Sequence, residues 1–139
     1  MDISALYAGI YAEFVNDSDL LAALGGNTAR RMYNTKAPQN PDYPYCVFQY
    51  IAGSPDPTFT EDGEITSFQF SIFHKSEDPL DSTTIDDVFK KLCACYDDCA
   101  LTVSGYNSIS VTRGVSNFVP TTDETQQYVI NYEIMIQES

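Results

Sequence analysis

Two neighbouring segments carry the clearest hydrophobic periodicity, and together they predict a sheet with a helix packed across it. Residues Ile65–His74 alternate as an extended strand does, with Phe68, Phe70 and Ile72 on one face and Gln69, Ser71 and Phe73 on the other. From about Asp81 to Tyr96 the apolar residues recur at helical spacing, at Ile85, Val88, Phe89, Leu92, Cys93 and Tyr96. The apolar stripe of this helix is expected to cover the aromatic face of the strand.

The rest of the chain predicts more helix at the start and more strand at the end. Helical spacing predicts a helix over Asp2–Val15 and a short one over Ser18–Leu24, which stops at Gly25-Gly26. Strands are predicted at Ala29–Tyr33 (an edge strand blunted by charge), Tyr45–Ile51, Ala100–Val103, Asn107–Val119 with a bulge at Gly114, and Thr125–Gln137. This order predicts an α+β domain, residues 1–139, whose mostly antiparallel sheet has the N-terminal helix and the helix at about 81–96 on one face.

Two loops are predicted between these elements. Lys36–Pro44 contains three prolines and is expected to be extended. The connection Ala52–Glu64 is longer than a hairpin needs, and loops of that length are often functional or mobile. We therefore predict a mobile loop at 53–64 that acts as a partner-binding arm, with the alternative that it is only a solvated loop. The arm residues are Pro55, Asp56, Pro57, Phe59, Glu61 and Asp62.

The charge of the chain argues against tight nucleic-acid binding. Its net charge is −13 with seven Lys and Arg, whereas phosphate neutralisation requires a basic face. An acidic wall would instead let DNA pass without sticking. The first residues lack the pattern of a signal peptide, and no segment reaches the ~18 consecutive apolar residues of a membrane span, so we expect a soluble protein made in a cytoplasm, without membrane contact.

The sequence predicts no catalytic, cofactor or metal site. Cys93, Cys95 and Cys99 do not have zinc-site spacing, and on a helix the first two point about 200° apart, even if His74 supplied a fourth ligand. His74 also lacks the nucleophile motifs that hydrolases place beside a histidine. Adjacent carboxylates such as Asp86-Asp87 diverge on a helix, so a solvated surface explains them better than acid–base chemistry.

Apolar residues on the side of the sheet away from the helices predict an association surface. If the helices cover one side only, the residues on the other form a patch of the kind that subunits bury. The predicted subunit-interface residues are Phe48, Tyr50, Phe73, Val129 and Met135. The alternative is a sheet covered on both sides by its own chain.

Several structural motifs occur in an order that resembles one protein family. They are Leu20-Leu-Ala-Ala-Leu-Gly-Gly26 after an amphipathic helix, Arg31-Met-Tyr33, Tyr43-Pro-Tyr-Cys-Val-Phe48 after a proline-rich loop, the Phe-x-Phe-x-Ile-Phe strand, Leu101-Thr-Val103 and a closing alternating strand. Over nearly its full length the chain is similar to the tail-completion, or tail-terminator, proteins of long-tailed bacteriophages.

This resemblance implies a non-enzymatic virion protein without catalytic residues. The family forms a ring, commonly hexameric, that caps the tail tube at its head-proximal end and contacts tube and neck (head-tail connector) proteins, with DNA only as passing cargo. Assembly is expected in the host cytoplasm. Two alternatives stay open. One is another neck component, such as a head-tail adaptor or stopper. The other is a small ligand-binding or enzymatic α+β domain with Tyr45, Tyr50, Tyr128 and Tyr132 lining a pocket.

Overall fold

The α+β architecture predicted from the sequence is confirmed by the computed structural model, which describes residues 3–55, 63–75, 82–120 and 125–138. The helices of these residues are α1 Ile3–Asn16, α2 Ser18–Ala23, α3 Gly26–Ala29 and α4 Thr83–Tyr96. The strands are β1 Met32–Asn34, β2 Tyr45–Pro55, β3 Gly63–Lys75, β4 Tyr106–Pro120 and β5 Thr125–Glu138. None of the helices in the described ranges is long and apolar enough to cross a membrane.

The five strands form one sheet in the order β1-β2-β3-β5-β4. Only β1 pairs in parallel, through Met32 opposite Cys46, and the other neighbours are antiparallel. In the β4–β5 ladder the register shifts between Arg113 and Ser116, which confirms the bulge predicted at Gly114. The register also shifts between Ser108 and Ser110 of β4, and a shift between Tyr50 and Ala52 places Ile51 in a bulge of β2. The short β1 and the long β4 are therefore the two edges.

Helices α1 and α4 cover one face of this sheet, as the sequence predicts. Tyr7 of α1 meets Phe48 and Phe68 edge-on, at ring-centroid distances of 5.7 and 5.8 Å. Tyr96 of α4 lies 4.8 Å from the Phe70 ring, and its hydroxyl donates to the Ile10 carbonyl at 2.7 Å. The core therefore lies between the two helices and this face of the sheet.

The short helix α2 begins where its capping residue predicts. The Asp17 side chain accepts a hydrogen bond from the Leu20 N–H at 3.0 Å, which satisfies one of the free donors of the first turn. The helix ends before Gly25, whose φ of 100° is a left-handed conformation that glycine adopts without strain. The one-turn helix α3, Gly26–Ala29, occupies part of the segment predicted as the first strand, which instead begins at Met32.

Two other predicted boundaries are wrong. Ala100–Val103 forms no strand, because its pairing is limited to an isolated bridge between Val103 and Tyr106. The loop predicted at Ala52–Glu64 is shorter than expected, since β2 continues to Pro55 and β3 begins at Gly63. Paired strand backbone therefore replaces both ends of that loop, and the segment 56–62 lies outside the described residues.

Candidate functional site

The face of the sheet opposite α1 and α4 is a mixed polar and apolar surface, here called the open face. Its positions follow from the ladder register, because paired residues share a face. They are Tyr45, Val47 and Gln49 of β2, Ile65, Ser67, Gln69, Ser71 and Phe73 of β3, and Gln127, Val129, Asn131, Glu133 and Met135 of β5. Most of these side chains are half-buried or exposed. No described helix packs against them, so the open face is available for a partner.

One end of the open face carries a cluster of aromatic rings. Phe73 stacks on Tyr45 across the β2–β3 ladder, with ring centroids 5.0 Å apart and an interplanar angle of 21°. Tyr43 and Tyr33 lie 5.4 and 6.1 Å from the Tyr45 ring. Partial burial, and then the neighbouring hydroxyls of Tyr43 and Tyr33, raise the pKa of Tyr45. The rings therefore present neutral apolar surface with phenol groups at its margin.

The segment between β1 and β2 folds beside these rings and makes a groove with them. The Thr35 N–H donates to the Phe48 carbonyl at 2.8 Å, and the Arg31 Nε donates to the Pro44 carbonyl at 2.8 Å, which fixes both ends of the segment. The groove has a volume of about 340 Å³ and is lined by Thr35, Lys36, Ala37, Tyr45, Val47, Gln49, Ser71 and Phe73. We call it the Lys36 groove.

Three cations lie at this end of the sheet. Lys36 lines the groove itself and is exposed. Arg31 is level with Tyr45, since its carbonyl accepts from the Cys46 N–H at 2.9 Å. Lys75 lies two residues beyond Phe73 in β3, and its side chain is exposed. Three of the seven basic residues of the chain therefore lie at this end of the sheet, with Asp42 and Glu77 as the carboxylates nearest in sequence to Lys36 and Lys75.

The cysteine-bearing end of α4 forms a separate polar cluster on the helix side of the sheet. Arg113 of β4 donates to Cys93 Sγ at 3.0 Å and lies 3.6 Å from the Asp97 carboxylate, which also accepts from the Tyr132 hydroxyl at 2.7 Å. Burial above all raises the pKa of the Cys93 thiol, and burial raises that of the Tyr132 phenol. A protonated thiol is a poor nucleophile, so this cluster fastens the edge strand β4 to α4.

Cys93 and Cys95 face different parts of the molecule. Cys95 contacts the Glu13 carbonyl of α1 at 3.6 Å, whereas Cys93 faces β4. Burial, followed by the charge of Asp17, raises the pKa of Cys95. In the parts of the chain that the structure describes, no group of three or more metal-ligating side chains could hold an ion.

The predicted subunit-interface residues divide between the two faces. Phe73, Val129 and Met135 lie on the open face, where their role in association stays a prediction. For Phe48 and Tyr50 the predicted side is wrong. Phe48 is 1% exposed and stacks on Phe70, while Tyr50 packs edge-on against Phe68 under α1. These two therefore belong to the helix-covered side of the sheet.

Most of the predicted arm lies outside the described residues, and the structure contradicts the predicted tyrosine pocket. Pro55 ends β2, opposite Glu64, and the other arm residues, Asp56, Pro57, Phe59, Glu61 and Asp62, lie outside the described residues. The four tyrosines proposed to share a pocket do not meet, because Tyr45 is on the open face and Tyr132 is buried on the helix side. The alternative of a ligand pocket lined by these four residues is therefore wrong.

Sequence reasoning missed the Lys36 groove. Its residues Lys36 and Ala37 come from the proline-rich loop, for which the sequence predicts only an extended connection. One feature of the sequence pointed to an aromatic site at this place, because tyrosines at 43 and 45 flank a proline at the start of a predicted strand.

Comparisons with known proteins identify one family and two solved structures of similar fold. The family model for the tail completion protein gp17 matches residues 8–137. A chain from the solved structure "Virion of native gene transfer agent (GTA) particle" has a TM-score of 0.79 at 16% identity, over 97% of this chain and 96% of that one. A second solved structure, without a descriptive name, has a TM-score of 0.61 at 16% identity, over 100% and 98% of the two chains. No curated protein sequence matches. The chain belongs to the tail completion protein gp17 family and is a structural protein of a bacteriophage tail.

Proposed function

We propose that this protein completes the tail as a closed ring of identical subunits, with six as the expected number. The ring caps the tail tube at the end that meets the head and provides the interface for head-tail joining. Its partners are other copies of itself, the tail tube protein and the connector proteins of the neck, and DNA is only cargo that passes through. The role is non-enzymatic, and the protein joins the virion in the host cytoplasm.

The observation that carries this proposal is the one-sided cover of the sheet. The helix side buries a continuous core, with Phe68, Ile72 and Ile130 all at 0% exposure. The open face has no such cover among the described residues, yet it carries apolar side chains such as Val47 and Val129. Apolar side chains that the chain's own helices leave uncovered are typical of an association site, and identical subunits that meet around an axis form a closed ring.

The charge of the chain supports a DNA channel through the ring. A net charge of −13 is repeated in each subunit, so a ring multiplies it around one axis. At physiological salt, charges act on each other over about 8 Å, the Debye length, so an acidic lumen wall repels DNA only close to its surface. The fold shared with a chain of a gene transfer agent virion is consistent with a place in a phage-like particle.

The first test is the mass distribution of the purified protein across concentration. We expect native mass spectrometry to show a closed oligomer of about six subunits, and negative-stain images to show rings with a central hole. A protein that stays monomeric at all concentrations, and that also fails to bind purified tail tubes, would contradict the proposal. Binding to connector but not to tube would favour another neck component, such as an adaptor or stopper.

The arm is tested by replacing residues 56–62 with an Asn-Gly turn. The two new residues and Gly63 form a three-residue hairpin loop, which preserves the pairing of Pro55 with Glu64, so the melting temperature should change little. We expect the variant to lose head-tail joining in an in vitro assembly assay with tailless heads and free tails. A second variant, with Asp56, Glu61 and Asp62 replaced by Asn or Gln at unchanged length, tests whether the loss comes from the carboxylates or from the length of the segment. Joined particles at normal yield with the turn variant would remove the arm from the mechanism.

A further inference from the structure

The Lys36 groove has the form of a site for an extended acidic peptide. Its floor is a ladder of β2 and β3 side chains, its wall is the segment that includes Thr35 and Ala37, and Lys36 provides a cation that no ion pair of the described residues holds. Aromatic rings with a nearby cation suit a ligand that combines an apolar anchor with carboxylates.

The chain itself contains such a ligand in the seven residues between β2 and β3. Their sequence, Asp56-Pro-Thr-Phe-Thr-Glu-Asp62, has three carboxylates, one aromatic ring and no basic residue. The two prolines, Pro55 and Pro57, favour an extended backbone that loses little conformational entropy when it docks. Its charge and its anchor are therefore complementary to the Lys36 groove.

This segment cannot reach the groove of its own subunit. It connects Pro55 to Gly63 at one end of the β2–β3 ladder, and its seven residues can extend at most about 14 Å outward and back. The nearest groove residue of β2 is Gln49, six positions before Pro55, which is about 20 Å along the strand, and Tyr45 is about 33 Å away. Only the segment of another molecule can fill the groove.

We propose that the Lys36 groove binds the acidic segment 56–62 of a second copy of this chain, with Phe59 against the Tyr45 and Phe73 rings and the carboxylates beside Lys36. The inference rests on the proposed self-association and adds which two surfaces meet. Because the groove and the segment lie at opposite ends of the sheet, the contact joins one end of a subunit to the other end of the next. Contacts of this head-to-tail type generate rings when the rotation closes.

The test exchanges charges between the two surfaces. Lys36→Glu places a carboxylate in the groove, and the double variant Glu61→Lys with Asp62→Lys makes the segment basic. We expect each variant alone to associate about tenfold more weakly than wild type by native mass spectrometry, and an equimolar mixture to recover wild-type association. Lys90→Glu, the same change at an exposed position of α4, is the matched control and should associate normally. Equal behaviour of Lys36→Glu and Lys90→Glu, or no recovery in the mixture, would overturn the inference.

A second measurement separates this contact from the ring itself. A fluorescent peptide of residues 54–64 is titrated with the full-length protein, and its anisotropy should rise with wild type and with Lys90→Glu but about tenfold less tightly with Lys36→Glu. If wild type forms no oligomer but binds the peptide in this way, the ring fails and the contact stands. If rings form normally while Lys36→Glu prevents only the binding of tail tubes, the groove takes another virion protein and the inference is wrong.

Discussion

Replacing Phe70 with alanine is expected to lower the free energy of unfolding by about 3–5 kcal/mol. Phe70 is 1% exposed, and its ring lies 5.9 Å from Phe48, 4.8 Å from Tyr96 and 5.5 Å from Tyr132. Truncation leaves a cavity that these rings cannot fill without leaving their own contacts. Since domains of this size are stable by about 5–15 kcal/mol in total, the variant should unfold at a much lower urea concentration.

The matched control is Phe73→Ala, three residues along the same strand. Phe73 is half-buried on the open face and contacts Tyr45 by stacking at 5.0 Å. Its truncation should cost about 1 kcal/mol, since the site is open to solvent and leaves no closed cavity. The Phe73→Ala subunits should instead associate more weakly than wild-type subunits. Equal losses of stability in the two variants, read from urea midpoints, would contradict the assignment of the faces.

Val129→Asp is expected to disrupt subunit association while the monomer stays folded. Val129 lies on the open face between Ser71 and Asn117, so in a free subunit the new carboxylate can remain in contact with water. In an assembled ring it would be buried without a partner at every contact. A penalty of about 3 kcal/mol per contact would weaken association by about 100-fold. Native mass spectrometry measures the oligomer, and circular dichroism verifies the fold.

Ala94→Asp provides the same change of charge at a different place. Ala94 is exposed on α4, on the helix side of the molecule, and should tolerate a carboxylate with little effect on either fold or assembly. If Val129→Asp assembles as well as Ala94→Asp does, the subunit contact does not include the open face. If Ala94→Asp alone disassembles the ring, subunits meet through α4.

Periodicity predicted the faces of the elements that are half-buried. In β3 and β5 apolar and polar residues alternate, so the alternation alone assigns Phe68 and Ile130 to the core. The helical spacing of α4 likewise identified its buried positions, among them Val88 and Leu92. The physical reason is that a strand or helix with one side toward water and the other toward the core places polar residues on the first side and apolar residues on the second.

The same reasoning failed for β2 because this strand is apolar on both faces. Tyr45 and Val47 point to the open face, whereas Cys46 and Phe48 point to the core, and no polar residue marks which is which before Gln49. The side of Phe48 follows only from pairing, which puts it opposite Phe70. Strand pairing is a long-range fact, and the local pattern of a doubly apolar strand does not contain it.

The Lys36 groove could not be predicted, for a related reason. Its lining brings together residues 35–37, 45–49 and 71–73, and the proximity of these three segments depends on two strand ladders and on hydrogen bonds such as that from the Arg31 Nε to the Pro44 carbonyl. A proline-rich loop has no hydrophobic period that reveals where it lies on a sheet. The acidic segment, by contrast, is visible at once from composition.

The burial of the thiols affects how fast this protein is oxidised in air. Air oxidation attacks the thiolate, and burial raises the pKa of Cys93 and, to about 11, that of Cys99. At pH 8 on the order of one Cys99 in a thousand is ionised. Virions spend their extracellular life in aerated media without a reducing system. A tail protein whose four cysteines are free and whose thiols stay protonated is suited to that period of storage, because protonated thiols are slow to oxidise.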